Sequence, residues 1–295
     1  MVLSRVRYTA EYTVIQELTD EKCYSLRRLC PLLGVSRAGY YKWLKRDKSQ
    51  LEIENEALLE TMKQLQEKHN GILGCERMTM YVNQSGEVHY NVKRIRRVMR
   101  YGKIECKIRR KRPGYIRSTP QITAENKLNR CFSADLPNQK WLTDVTEFKY
   151  GSGQKAYLSA ILDLGDRRVV AWEFGRSNNN TLVFNTLKKA LALNPNATPL
   201  FHSDRGFQYT NRVFKTMLDE AGITQSMSRV GRCIDNGPME GFWGTLKSEM
   251  YYLDRFRSYE HLEAAVGNYI SYYNYDRLQK RLNRMSPMEY HRTIA

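Results

Sequence analysis

Three consecutive apolar runs between residues 140 and 176 limit the possible folds more than any other feature of the chain. "KWLTDVTEFKY" alternates with period two, as a half-buried strand does, while "AYLSAILDL" and "RVVAWEFGR" flank a Gly-Asp turn like the arms of a hairpin. After them the period lengthens. "NTLVFNTLKKALAL" predicts an amphipathic helix, "PLFHSD" a short strand, "NRVFKTMLDEAG" a helix, "ITQSMS" a strand and "DNGPMEGFWGTLKSE" a further helix. Three antiparallel strands followed by alternating helices and strands predict an α/β class with a mixed five-stranded sheet and flanking helices, the order of a ribonuclease H-like fold.

Three acids stand out on this frame. Asp144 lies centrally in the first strand, Asp204 follows the fourth, and Glu240 falls in the first turn of the helix after the fifth, with 35 residues between it and Asp204. Pro238 suits a first helical position and Asp235 or Asn236 can cap the amides. The 3.6-residue repeat then places Asn236, Glu240, Trp243 and Lys247 on one face. Each acid has a plain reading by itself: Glu240 as a complement to the helix dipole, Asp144 as partner of Thr143 or Thr146, Asp204 as a turn residue. Together they converge, and three carboxylates at one place repel each other unless a hard divalent cation neutralises them. Magnesium, for which manganese can substitute, suits phosphate chemistry, in which two ions about 3.5–4 Å apart activate the nucleophile and stabilise the leaving oxygen. Glu147, Asp163, Asp166 and Glu249 fit this triad less well by face or position.

The N-terminal half is helical and basic. "YSLRRLCPLLGVSRAGYYKWLKR" gives two short helices around a Gly-Val-Ser turn, with Leu26, Leu29 and Leu33 inward on the first, Tyr40, Trp43 and Leu44 inward on the second, and Ser36 as its cap. That layout predicts a helix-turn-helix over 1–50 presenting Arg37 and Lys42 to DNA; a plain hairpin with a basic surface gives the same pattern. Residues 51–117 continue with a helix carrying Leu51, Leu58 and Leu65, then a dense basic run in which Lys93, Arg94, Arg96, Arg97 and Arg100 point to phosphate contact and Ile95, Val98 and Met99 to a core. Residues 118–135 read as a linker, leaving 136–295 for the catalytic core and a helical tail.

The formal charge of +17 favours a polyanionic partner, and nucleic acid is the commonest. No apolar run is long enough to span a bilayer and the start lacks a signal-peptide core, so a cytoplasmic, nucleoid-associated protein is expected. Six cysteines without CxxC spacing and five scattered histidines predict reduced thiols and no Cys/His metal site.

The stretches "NQKWLTDVTEF", "HSDRGFQYT", "QSMSRVGRCIDNGPMEGFWGTLKSE" and "YYNYDRLQKRLNRMSPMEY" resemble the OrfB-type insertion-sequence transposases of the IS3 family, similar in catalytic fold to retroviral integrases, and "NVKRIRRVMR" resembles that family's basic segment. The resemblance implies that Asp144, Asp204 and Glu240 bind two magnesium ions, that element ends are cut, and that the freed 3′-hydroxyl attacks a target strand. It implies Lys247 as a contact to terminal DNA, a homo-oligomer on DNA, and an upstream-frame partner or frameshift fusion. His202 and Asn236 are candidates for orienting substrate or ligands, or are satisfied structural residues; Trp141 and Trp243 are expected in the core. Arg205, expected to be exposed, and "NGILGCERMT" depart from the family pattern. A catalytically silent DNA-binding regulator and a nuclease that does not join are the rival readings.

Overall fold

The computed structural model describes residues 8–22, 24–85, 88–108, 125–229 and 233–295. The basic residues at 109–117 and the start of the expected linker lie outside them. The chain divides into two compact units, Met1–Lys107 and Ile108–Ala295.

The first unit is helical: α1 (Thr9–Lys22), α2 (Leu26–Leu32), α3 (Arg37–Leu44), α4 (Gln50–Lys68), α5 (Cys75–Ser85) and α6 (Val92–Tyr101). Small polar residues set the starts. Ser25, Ser36 and Asn91 each accept a hydrogen bond from a backbone N–H in the first turn of α2, α3 and α6. Tyr12, Ile15, Leu29, Cys30, Val35 and Tyr40 form a small core joining α1 to α3. Trp43 packs beside it, with its ring 5.6 Å from Tyr12, but Leu44 is 46% exposed and does not face inward as expected. Position 44 falls in the last turn of an eight-residue helix, past the reach of that core. Leu58 and Met62 are buried on α4, and Ile95, Val98 and Met99 on α6.

Among its described residues the second unit contains one sheet and five α-helices: β1 (Lys140–Tyr150), β2 (Gln154–Asp163), β3 (Val169–Gly175), α7 (Asn180–Leu193), β4 (Leu200–Ser203), α8 (Arg212–Glu220), β5 (Thr224–Met227), α9 (Gly237–Glu249), α10 (Tyr259–Tyr275) and α11 (Pro287–Ile294). The strand order is β3-β2-β1-β4-β5. β1, β2 and β3 are antiparallel neighbours, whereas β4 runs parallel to β1 and β5 parallel to β4. This mixed five-stranded sheet between helices is the ribonuclease H-like arrangement expected from the pattern.

The alternation of β1 sorts its side chains onto two cores. Leu142, Phe148 and Tyr150 join Met239, Phe242, Trp243 and Leu246 of α9 with Leu262, Val266 and Tyr269 of α10. Trp141 on the opposite face joins Val183 and Leu187 of α7 with Phe214 and Leu218 of α8. The end of the expected linker belongs to this unit. Leu128 is buried in the α9–α10 core, and its N–H donates to the Ser226 Oγ at 3.1 Å. Phe132 and Ala134 are partly buried against the same core, so residues 125–135 form a strap pinned at these three points, with its other residues largely exposed.

Candidate active site

β4 is short. It pairs with β1 only from Lys140 to Leu142, where Leu142 lies opposite His202. Asp144 lies two residues further along β1 and Asp204 directly follows the last residue of β4, which brings the two carboxylates close enough for the charge of one to act on the other. Past that level the edge of β1 lacks a strand neighbour and α9 takes its place. Asn236 Nδ2 donates to the Thr143 carbonyl at 3.1 Å, and Trp243 Nε1 donates to Asp144 Oδ2 at 3.0 Å. The other carboxylate oxygen, Oδ1, accepts from the Val145 N–H at 2.8 Å.

The electrostatics show strain between like charges. The Asp144 carboxyl is pushed up to about 7, first by burial and then by Asp204, with Glu240 adding to the effect and the Val145 and Trp243 donors opposing it. Burial also raises Asp204, against the Gly206 N–H that donates to its Oδ1 at 2.8 Å. Glu240 stands exposed in the first turn of α9. Lys247, two turns on, is half-buried with its ammonium 5.2 Å from the Phe148 ring centre, and burial lowers its pKa while Asp144 opposes that shift.

Among the described residues, no group of three His, Cys, Asp or Glu side chains is gathered into a ready cage for a metal ion. The donor set nevertheless suits a hard cation. Two carboxyls are disfavoured in their charged forms, a third presses on one of them, and Asn236 Oδ1 is buried without a partner, so acceptors exceed donors here.

Several residues take roles different from those expected. Asp235 does not cap α9; it is fully buried, and Arg229 and Arg130 hold its carboxyl well below the usual carboxylate range. Its oxygens accept from Arg229 Nε at 2.9 Å, Arg130 Nε at 2.8 Å and Asn126 Nδ2 at 2.9 Å, which ties the strap to the approach to α9. Asn236 occupies the cap position, yet its side chain makes no cap hydrogen bond because it is committed to β1. A short 3-10 turn, Cys233–Asn236, enters the helix, with the proline in its first turn.

His202 is fully buried between β4 and β5, with Nδ1 2.9 Å from Ser226 Oγ and Nε2 3.1 Å from Ser228 Oγ. Ser228 Oγ donates to the Ser203 carbonyl, so it must accept from Nε2–H, and the ring is neutral with its pKa lowered to about 4 by burial. Arg205 is half-buried, its Nε donating to the Ser228 carbonyl at 2.6 Å. Trp141 is core as expected. Trp243 is also core, and it reaches a candidate ligand with its indole N–H; helical spacing alone does not separate these two uses of a tryptophan.

In the helical unit, Lys93, Arg96, Arg97 and Arg100 are exposed along one side of α6, opposite the buried Ile95, Val98 and Met99. Arg94 is committed inward: Nε donates to Asn55 at 3.0 Å and the guanidinium pairs with Glu54 at 3.0 Å. Arg37 and Lys42 are exposed on α3. No helix among the described residues is long and apolar enough to cross a membrane.

Three family models match the chain: an integrase core domain at residues 134–233, a second integrase core domain at 240–293, and an HTH-like domain at 52–112. The last falls on α4 to α6, beyond the α2–α3 pair read as a helix-turn-helix. The InsK protein of insertion sequence element IS150 of Escherichia coli K12 is 41% identical over 224 residues, covering 76% of this chain and 78% of that protein. The transposase InsF of insertion sequence IS3A, also from Escherichia coli K12, is 28% identical over 95% of this chain and 98% of its own length. A solved structure of the HTLV-2 integrase catalytic core domain in complex with magnesium aligns with 53% of this chain and 97% of that one, at 21% identity and a TM-score of 0.42. Two integrase-core matches on a ribonuclease H-like sheet, an HTH-like match on the helices before it, and this identity over most of a relative's length place the chain in the IS3 family of insertion-sequence transposases.

Proposed function

We propose that the protein cuts DNA at the ends of its insertion element and joins the freed 3′ ends to a target strand, with Asp144, Asp204 and Glu240 as ligands of two magnesium ions. The observation that carries this reading is the pairing of β1 with β4, beyond whose end Asp204 comes close to Asp144, with Glu240 near enough to raise the Asp144 pKa as well. Such ions, when bound, lower the pKa of an attacking water or hydroxyl and neutralise charge on the leaving oxygen.

The protein's own contribution is positional. The two strands fix the aspartates, the Asn236–Thr143 bond anchors the start of α9, and the Trp243 indole holds one Asp144 oxygen so that the carboxylate keeps a single orientation. Lys247, on the same helix as Glu240, meets the phosphates of the terminal DNA. The outward row Lys93, Arg96, Arg97 and Arg100 supplies further phosphate contacts, with Arg37 and Lys42 on α3 as additional ones. Arg94 is left out because it braces α6 on α4. Two element ends must be held together for joining, which favours a homo-oligomer on DNA; an upstream-frame protein would add end recognition.

The test uses end-labelled DNA carrying the element's own terminus, resolved on a denaturing gel with magnesium or manganese. Joined product is expected from the wild type and none from Asp144→Asn, Asp204→Asn or Glu240→Gln. Cut but unjoined DNA would replace the reading by a nuclease, and bound but intact DNA by a regulator.

A further inference from the structure

From the candidate ligands, β1 and α9 run side by side toward a groove of about 480 Å³ at the tip of the β1–β2 hairpin. Its walls include Lys149, Tyr251, Tyr252, Arg255 and Phe256. Asn236 touches Thr143, Trp243 touches Asp144, Lys247 lies over Phe148, and Tyr251 bonds to Lys149, so the two elements keep step over the whole distance. Strand rise from Asp144 to Lys149 gives about 17 Å, and helix rise from Glu240 to Glu249 about 14 Å.

The groove is built on an aromatic stack. Tyr251 lies parallel to the buried Phe256 at 5.9 Å, and its hydroxyl accepts from the Lys149 N–H at 2.9 Å and donates to the Lys149 carbonyl at 2.8 Å. Tyr252 follows, 5.3 Å from Tyr251, and 59% of it is exposed. Large exposed rings on a rigid base are costly to leave in water, and they make good platforms for nucleobases. Lys149 and Arg255 are exposed, and neither makes an ion pair among the described residues. The carboxylate among the lining residues, Asp254, accepts from the Arg255 N–H at 2.6 Å and lies 3.8 Å from His261.

We propose that this groove is a DNA-strand site separate from the carboxylates, in which a base of an unpaired segment stacks on Tyr252 while flanking phosphates lie against Lys149 and Arg255. Every nucleobase has a π face, so the site is indifferent to sequence and sensitive to strandedness. It would hold the strand on its way to or from the reacting phosphodiester, which rests on the carboxylate reading above.

The experiment measures binding of the full chain, without divalent metal, to a short fluorescein-labelled single-stranded oligonucleotide, and maps photocrosslinks from the same oligonucleotide carrying 5-iodouracil. Tyr252→Ala is expected to weaken binding about fivefold or more, Tyr252→Phe to keep wild-type affinity, and the crosslink to fall on Tyr252. Lys149→Ala and Arg255→Ala should each flatten the salt dependence by a slope of about 0.7. Unchanged affinity in Tyr252→Ala with no crosslink at 252 overturns the proposal. So does a Tyr252→Ala protein that binds DNA normally but loses its oligomeric state, since the groove then seats a second copy. Asp144→Asn separates the two readings: joining activity in that variant would defeat the carboxylate assignment and leave the crosslink result standing.

Discussion

At the scale of single residues, the site depends on hydrogen bonds that few substitutions preserve. Trp243→Phe keeps most of the ring in the α9 core and removes the donor to Asp144 Oδ2. Binding of manganese, followed by titration calorimetry, should weaken about tenfold to a hundredfold, with little change in thermal midpoint. His202 gives a different readout. Its pKa is about 4 in the folded protein against about 6.5 unfolded, so its neutral form stabilises the fold fully above pH 6.5, and that contribution is lost as pH falls toward 4. In denaturant titrations with chelator present, the advantage of wild type over His202→Asn should shrink by about 3 kcal/mol across that window. A wild type to variant difference that stays flat with pH would mean His202 does not stay neutral. The three acids could be singled out as candidates because Asp144 sits within a strand, Asp204 just past one and Glu240 in the first turn of the helix that follows. Trp243 was not, since an aromatic at helical spacing carries no mark of what its N–H meets.

At the scale of elements, α9 is held at both ends by buried ions. At its start Asp235 gathers Arg130, Arg229 and Asn126, and at its end Glu249 accepts from Arg277 at 2.8 Å and 2.9 Å and from the Tyr269 hydroxyl at 3.0 Å. Arg277→Ala would leave the Glu249 carboxylate buried without its counter-ion, and urea unfolding should show a loss of about 3–5 kcal/mol. Adding Glu249→Gln should restore part of it, because the stranded charge is then gone; no recovery in the double variant would place the cost in packing instead. Neither clamp could be read from the sequence. Arg130 and Asp235 are 105 positions apart and Glu249 and Arg277 are 28 apart, so local rules assigned Asp235 to a cap and residues 118–135 to a linker. Strand and helix order, by contrast, followed from periodicity, which is a local property.

At the scale of the whole molecule, the charge of +17 is the property through which affinity for DNA would respond to salt. Replacing Lys93, Arg96, Arg97 and Arg100 together by alanine should lower the slope of log affinity against log salt by about 3–4 for duplex DNA, with an unchanged thermal midpoint because all four side chains are exposed. A slope equal to wild type would show that α6 faces away from the duplex. The pairing of β4 with β1 also bears on how copies of this protein fail. Because successive side chains on a strand point to opposite sides, sliding β4 by a single residue would turn over its own side chains and shift Asp204, which follows its last residue, relative to Asp144. On the proposed reading, a copy mispaired in this way would keep its helices for DNA and lose the meeting of acids that joining requires.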